Sequence, residues 1–178
     1  MSKDGSIRLA VAADAPAIIE IYRPHIEASP VSFEVEVPSV AQMCERIAEY
    51  QKIGPWYVYE VGGVVAGYAY ASKHRERKAY DWTVEVSVYI DKRFRHQGIG
   101  AKLYGQLLLE LKNRGYHLAL AGITLPNDAS IGFHESCGFE KVGVYREVGF
   151  KLGRWHDVGW WQKILNSSDH VPMHVSAR

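Results

Sequence analysis

A chain of 178 residues suits one domain, and its 47% apolar content, with 5 Trp, 11 Tyr and 5 Phe, is enough to fill a sizeable core. Lys+Arg number 21 against 20 Asp+Glu, for a net charge of +1. That balance leaves no global basic field to gather nucleic acid or an anionic membrane, so any charge recognition is local.

Cys44 and Cys137 lie in no CxxC and beside no ligand-spaced histidine pair. Neither a structural metal nor a disulfide framework is expected. With no signal-like apolar start and no run near the ~20 residues of a membrane span, the expected location is the cytoplasm.

Ile7–Val11 reads as a first strand. Asp14 then opens a helix with Ile18, Ile19, Tyr22 and Ile26 on one face. Pro30 to Pro38 is a loop holding Phe33 and Glu34. Ser39, with Gln42 three residues on, forms a capping box for a second helix carrying Val40, Met43, Ile47 and Tyr50 at helical spacing.

Beyond Gly54-Pro55, Trp56–Val61 and Val64–Ser72 form a hairpin across Gly62-Gly63. A charged tip, Lys73–Lys78, leads to a strand over Thr83–Asp91. A long helix follows with Leu103, Leu107, Leu108 and Leu111 inward, stopped at Gly115. His117–Thr124 is a strand and Asp128–Ser136 a short helix ended by Gly138. Phe139–Tyr145 and Trp155–Ile164 are closing strands. Residues 1–165 read as one domain without repeats or linker, and 166–178 as a polar, loose tail. The alternation describes an α/β domain with a mixed sheet and helices on both faces.

The most informative segment is Asp91-Lys-Arg-Phe-Arg95-His96-Gln97-Gly98-Ile99-Gly100, between a strand and a helix start. Free N–H groups and the partial positive charge at a helix N-terminus favour an anion. Gly98 and Gly100 permit close backbone approach, and Arg93 and Arg95 can add charge-assisted bonds to phosphate oxygens. The alternative is a plain tight turn. The segment has neither the third small residue of a dinucleotide GxGxxG nor a GxxxxGK[ST] phosphate loop.

Arg95-x-x-Gly98-x-Gly100 between strand and helix resembles the pyrophosphate signature of the GNAT acyltransferases, and the element order is similar over the whole chain. Ala79-Tyr-Asp-Trp-Thr83 with Glu85, Leu125-Pro-Asn-Asp128, His134-Glu135 and Trp155-His-Asp-Val-Gly159 resemble the phosphinothricin and methionine sulfoximine N-acetyltransferase branch.

The resemblance implies a mostly antiparallel GNAT-like sheet, acetyl-CoA as co-substrate, no metal, a homodimer and a small amino-acid-like acceptor. Backbone groups of Val88, Tyr89 and Ile90 would meet the pantetheine arm and thioester oxygen. Arg95, His96, Gln97, Gly98, Ile99 and Gly100 would hold the pyrophosphate. Asn127 and Ser130 would touch the arm or acceptor, and Ser136 the cofactor further along.

Acetyl transfer to an amine needs a group to remove the ammonium proton. Strand alternation turns Glu85, Ser87 and Tyr89 to one face and Val84, Val86 and Val88 to the core. Glu85 is therefore either the base, acting directly or through water, or an exposed strand carboxylate. His134 stands where many GNAT enzymes carry a tyrosine. It reads as a general acid, an acceptor-binding group, or a hydrogen-bonded helix histidine.

The tip Lys73–Lys78 is either a solvated charged loop or the source of a cation for the acceptor carboxylate. The resemblance favours Arg75, Arg77, Lys78, Ala79 and Tyr80, with Tyr22 and Phe33, for acceptor binding. His156 and Asp157, adjacent on a strand, point to opposite faces and form no dyad. The rival readings are a peptide or protein N-acetyltransferase and a non-catalytic acyl-CoA-binding regulator.

Overall fold

The computed structural model describes residues 5–169; the expected loose tail lies mostly outside them, at 170–178. Seven strands form one sheet in the order β1-β2-β3-β4-β5-β7-β6. They are β1 (Ser6–Leu9), β2 (Trp56–Val61), β3 (Val64–Lys73), β4 (Thr83–Ile90), β5 (Leu118–Leu125), β6 (Glu140–Lys151) and β7 (Arg154–Ile164). Only β4 and β5 pair in parallel. The helices are α1 (Ala15–Glu27), α2 (Val40–Gln51), α3 (Ile99–Asn113) and α4 (Asp128–Ser136).

Side-chain periodicity decides which helix covers which face. In α3, Leu103, Leu107 and Leu111 recur at four-residue spacing and are fully buried, each stabilising the fold by about 1.5–3 kcal/mol. They pack with α4 against Ala69, Ala71, Val84, Val86, Ala119, Ala121 and Trp161. The alanines let the helix lie close to the sheet. On the opposite face α1 and α2 bring Ile18, Ile26, Met43 and Ile47 onto Trp56, Val58 and Tyr68. The capping box of α2 forms in both directions, Gln42 N–H to Ser39 Oγ at 3.2 Å and Ser39 N–H to Gln42 Oε1 at 2.8 Å.

Two expectations are corrected. Asp14 does not cap α1 through its carboxylate, which reaches back to Val11 N–H at 2.8 Å and takes both terminal nitrogens of Arg8. The first strand consequently stops at Leu9 and gives way to a 3-10 turn over Ala12–Asp14. β6 runs past Tyr145 to Lys151, because a register shift between Tyr145 and Gly149 absorbs extra residues before Phe150 pairs with Trp155. Glu147 takes φ 49° in that bulge, and Asp157 accepts its N–H at 2.8 Å.

The hairpin end is fastened to the α1–α2 loop. Buried Lys151 donates to Ser32 O at 2.6 Å and His25 O at 3.4 Å, and burial lowers its pKa. Phe33 lies against Gly149, where even a Cβ would fall 2.1 Å from its ring. Thus β6 and β7 fix the loop that overhangs the sheet beside β4.

Candidate active site

β4 and β5 stay paired only from Thr83 opposite Leu118 to Glu85 opposite Leu120. Both strands continue, to Ile90 and Leu125, without a partner between them. On its other edge β4 keeps register with β3 to Ile90, and Asp91 N–H donates to Ala66 O at 3.0 Å. Main-chain groups alternate along a strand. Val86, Val88 and Ile90 therefore turn N–H and C=O into the gap, whereas Tyr89 turns its own to β3.

Tyr89 still lines the cleft, but with its main-chain groups turned to β3 and its ring packed against Tyr22, His25 and Tyr68. An unmet backbone group away from water costs about 1–3 kcal/mol, so the open edge favours an extended ligand with amide groups. The splay turns a sheet edge into a binding slot.

The slot opens into a cleft of about 550 Å³ lined by Val88, Tyr89, Ile90, Arg95, His96, Gly98, Ile99, Gly100, Asn127, Ser130 and His134. The turn before α3 is left-handed at His96 (φ 61°) and at Gly98, the N-cap (φ 73°). Gly98 has no side chain to fill the space before the free N–H groups of the first turn. A Cβ at Gly100 would lie 3.1 Å from Phe133 Cε2, so glycine lets α3 and α4 close up there.

Arg95 faces the cleft, but Arg93 does not. Its guanidinium is held by Asp91 at 2.6–3.1 Å, which corrects the expectation of a second phosphate-facing arginine. Gln97 is exposed at the tip and outside the lining.

In α4, Asn127 Oδ1 caps the helix by accepting Ser130 N–H at 3.2 Å. His134, one turn on, is buried with both nitrogens engaged: Nδ1 with Ser130 O at 2.7 Å and Nε2 with Tyr104 Oη at 3.0 Å. A carbonyl only accepts, so Nδ1 carries the proton and Nε2 accepts from the tyrosine. Burial lowers the pKa of the ring, keeping it neutral near pH 7. Ser136 lies apart from this cleft. Its hydroxyl donates to Phe133 O at 2.7 Å, and it lines a groove between α3 and β7 with Cys137 and Lys163.

At the inner end of the slot, Glu85 stands on the last β4–β5 rung, on the strand face shared with Ser87 and Tyr89. Its Oε1 is 2.8 Å from His74 Nδ1. Tyr80 and Trp160 meet the His74 ring edge-on at 5.5 and 6.1 Å.

Arg75 lies over the Tyr80 ring at 5.9 Å, while Arg77, Lys78 and Ala79 sit exposed in and before a 3-10 turn. Among the described residues, Arg75, Arg77 and Lys78 form no ion pair. Phe33, from the overhanging loop, is 6.3 Å from His156. Tyr22 is buried under Tyr89, its hydroxyl within 2.6 Å of Ser32 Oγ and 3.0 Å of Glu34. It thus stands behind the cleft wall, outside the lining. His156 and Asp157 engage Lys151 O and Glu147 N–H separately.

Sequence reading missed several cleft residues. Val31 lines it from the loop, Phe94 from the 3-10 turn that precedes α3, and Ala129 from the first turn of α4. His25 lines it from the end of α1, its pKa lowered by burial and then by nearby Arg95 and Lys151. Position 25 carried a signal, a histidine breaking into the apolar face of α1. His74 was hidden in a charged run.

A model of an acetyltransferase (GNAT) domain matches residues 7–160. The chain belongs to the GNAT acetyltransferase family. The GNAT chain is 43% identical to the phosphinothricin N-acetyltransferase of Streptomyces viridochromogenes, over 88% of its own length and 86% of the relative's. It is 35% identical to an L-methionine sulfoximine/L-methionine sulfone acetyltransferase of Salmonella typhimurium, covering 90% and 95%. A solved GNAT phosphinothricin acetyltransferase from Sinorhizobium meliloti, in complex with acetyl-CoA, matches with TM-score 0.90 and 35% identity, over 95% of this chain and 93% of that one. The mixed, mostly antiparallel sheet expected from sequence is the GNAT fold.

Proposed function

We propose that this acetyltransferase moves the acetyl group of acetyl-CoA to the amine of a small amino-acid-like acceptor, such as phosphinothricin, methionine sulfoximine or a natural amino acid. One observation carries the reading: an open β4 edge joins the free N–H groups of the α3 start at one end to the Glu85 carboxylate at the other, on the strand that follows Arg75, Arg77 and Lys78, which form no ion pair among the described residues.

The residues fit acetyl-CoA. The edges of Val88 and Ile90 complement the amides of the pantetheine arm. The first turn of α3, with Arg95, His96 and Gly98 to Gly100, complements the pyrophosphate. Asn127 and Ser130 border the arm. When bound, acetyl-CoA supplies an activated thioester acyl group.

Glu85 takes the proton of the acceptor ammonium at Oε2, since Oε1 is already held by His74. His134 is a neutral ring with both nitrogens committed; in this reading it holds Ser130 and Tyr104 in place. Arg75, Arg77 and Lys78 compensate the acceptor carboxylate, with Tyr80 and Phe33 as apolar walls and Tyr22 as support under Tyr89. Burying a carboxylate near Glu85 without a cation would be costly. That charge pattern favours an amino acid over a general amine.

Neutralising Arg75 and Arg77 together should cut kcat/KM for the amino acid by at least ~10-fold more than for its decarboxylated amine, about 1.5 kcal/mol. Steady-state kinetics on both acceptors checks this. Equal losses would remove the arginines from carboxylate recognition and promote a peptide-amine acceptor.

The reading includes a homodimer and a cytoplasmic location, the latter in keeping with two free cysteines. A second copy would cover the exposed apolar side chains Val148, Phe150, Leu152 and Trp155 of the β6–β7 hairpin. Sedimentation velocity should give the mass of two chains, and a monomer at micromolar concentration would contradict it.

A further inference from the structure

The β3–β4 connection places a histidine against the carboxylate that the functional reading uses as base. His74 directly follows β3, which ends at Lys73, and Ser72 lies opposite Glu85 across the strand pair. That puts the ring beside Glu85, with Nδ1 at 2.8 Å from Oε1. Its side chain is only 13% exposed, against 34% for Glu85. Tyr80 and Trp160 hold the ring by edge-on contacts.

The far nitrogen fixes the proton's position. Arg75 Nε–H lies 3.3 Å from His74 Nε2, and a guanidinium only donates. Nε2 is then the acceptor, so the ring proton is on Nδ1 and points at Glu85. The direction runs Arg75 to His74 to Glu85. A solvated loop histidine would have no need of two aromatic walls and bonds at both nitrogens.

We propose that His74 is the positioning residue of the base. It anchors Glu85 Oε1 through Nδ1–H and leaves Oε2 aimed at the acceptor ammonium, with Arg75 holding the tautomer. His74 carries no proton away in this scheme, since its Nδ1 is already protonated. The ammonium proton passes to Glu85 Oε2, and bulk water relieves it after product leaves. A glutamate carboxylate free to rotate about its side-chain bonds would spend little time in that orientation, so the anchored geometry contributes directly to turnover.

The inference rests on the reading of Glu85 as the base, and a double-mutant cycle separates the two. His74→Phe keeps ring bulk between Tyr80 and Trp160 but removes the donor. It should lower kcat about 10–100-fold, the scale of one lost hydrogen bond to a charged group, with KM for acetyl-CoA within about twofold. His74→Asn, whose Nδ2–H falls near the position of Nδ1–H, should recover most of that loss. In a Glu85→Gln background, His74→Phe should cost less than about twofold more, because it acts through Glu85.

If Glu85→Gln alone leaves turnover unchanged, the base assignment fails. If Glu85→Gln is slow but His74→Phe is as fast as the parent, or the two losses multiply, or asparagine fails to rescue a folded variant, the role of His74 is overturned.

Discussion

Glu85→Gln is expected to lower kcat by roughly 10²–10⁴-fold while leaving acetyl-CoA affinity within about twofold of the parent. The acceptor amine is mostly ammonium at neutral pH and must lose a proton before it can attack. Glutamine keeps the volume and still accepts from His74 Nδ1–H at 2.8 Å, so the local hydrogen bond survives. What disappears is the capacity to take the proton. Glu85 lies on the last β4–β5 rung and the open slot starts beyond it, so acetyl-CoA held in that slot should not depend on its charge. Raising the pH should recover part of the lost rate by supplying free amine from solution. Rapid-quench or steady-state kinetics with calorimetric acetyl-CoA binding checks both halves. A variant with parent turnover and pH profile would remove Glu85 from the chemistry.

Gly100→Asp should weaken acetyl-CoA binding at least ~10-fold, with the folded state retained. Two physical effects add. The new Cβ would stand 3.1 Å from Phe133 Cε2 and press on the α3–α4 contact at the cleft wall. The carboxylate would also occupy the first turn of α3, beside Arg95, and compete with a phosphate for the same N–H groups and charge. An acidic residue in a first turn favours the helix itself, so the substitution separates ligand binding from folding. Calorimetry gives the affinity and a thermal melt gives the fold. Unchanged affinity in a folded variant would move the pyrophosphate away from this turn.

Much of the fold was legible because its signals are local. The bounds of β2 and α4 follow from turn residues on either side, and Ser39 with Gln42 reads as a cap because both partners lie within one turn. The glycine turn before α3 was legible for the same reason: Gly98 and Gly100 sit where a strand ends and a helix begins.

The features that escaped depend on which partner wins a group, whether far along the chain or close by. The parting of β4 from β5 cannot be read from either strand alone, since each keeps its β pattern to its end. Nor can the direction of Tyr89's backbone, which is set by its pairing with Tyr68 on β3. Asp14 looked like a cap until Arg8 competed for it. Arg93 looked like a phosphate ligand until Asp91 took it. His74 disappeared into a run of charges whose usual fate is solvent. Only the hairpin register, with Ser72 opposite Glu85, explains why it meets a carboxylate.

The central claim, acetyl transfer from acetyl-CoA to an amino-acid amine, is tested most directly by following CoA thiol release from acetyl-CoA across a panel. The panel holds phosphinothricin, methionine sulfoximine, natural amino acids, their decarboxylated amines and short peptides. The account predicts acceptor-dependent release with one or more amino acids, far faster than with the matching amines. Release only with peptides or simple amines, or none above hydrolysis with any acceptor, would contradict it.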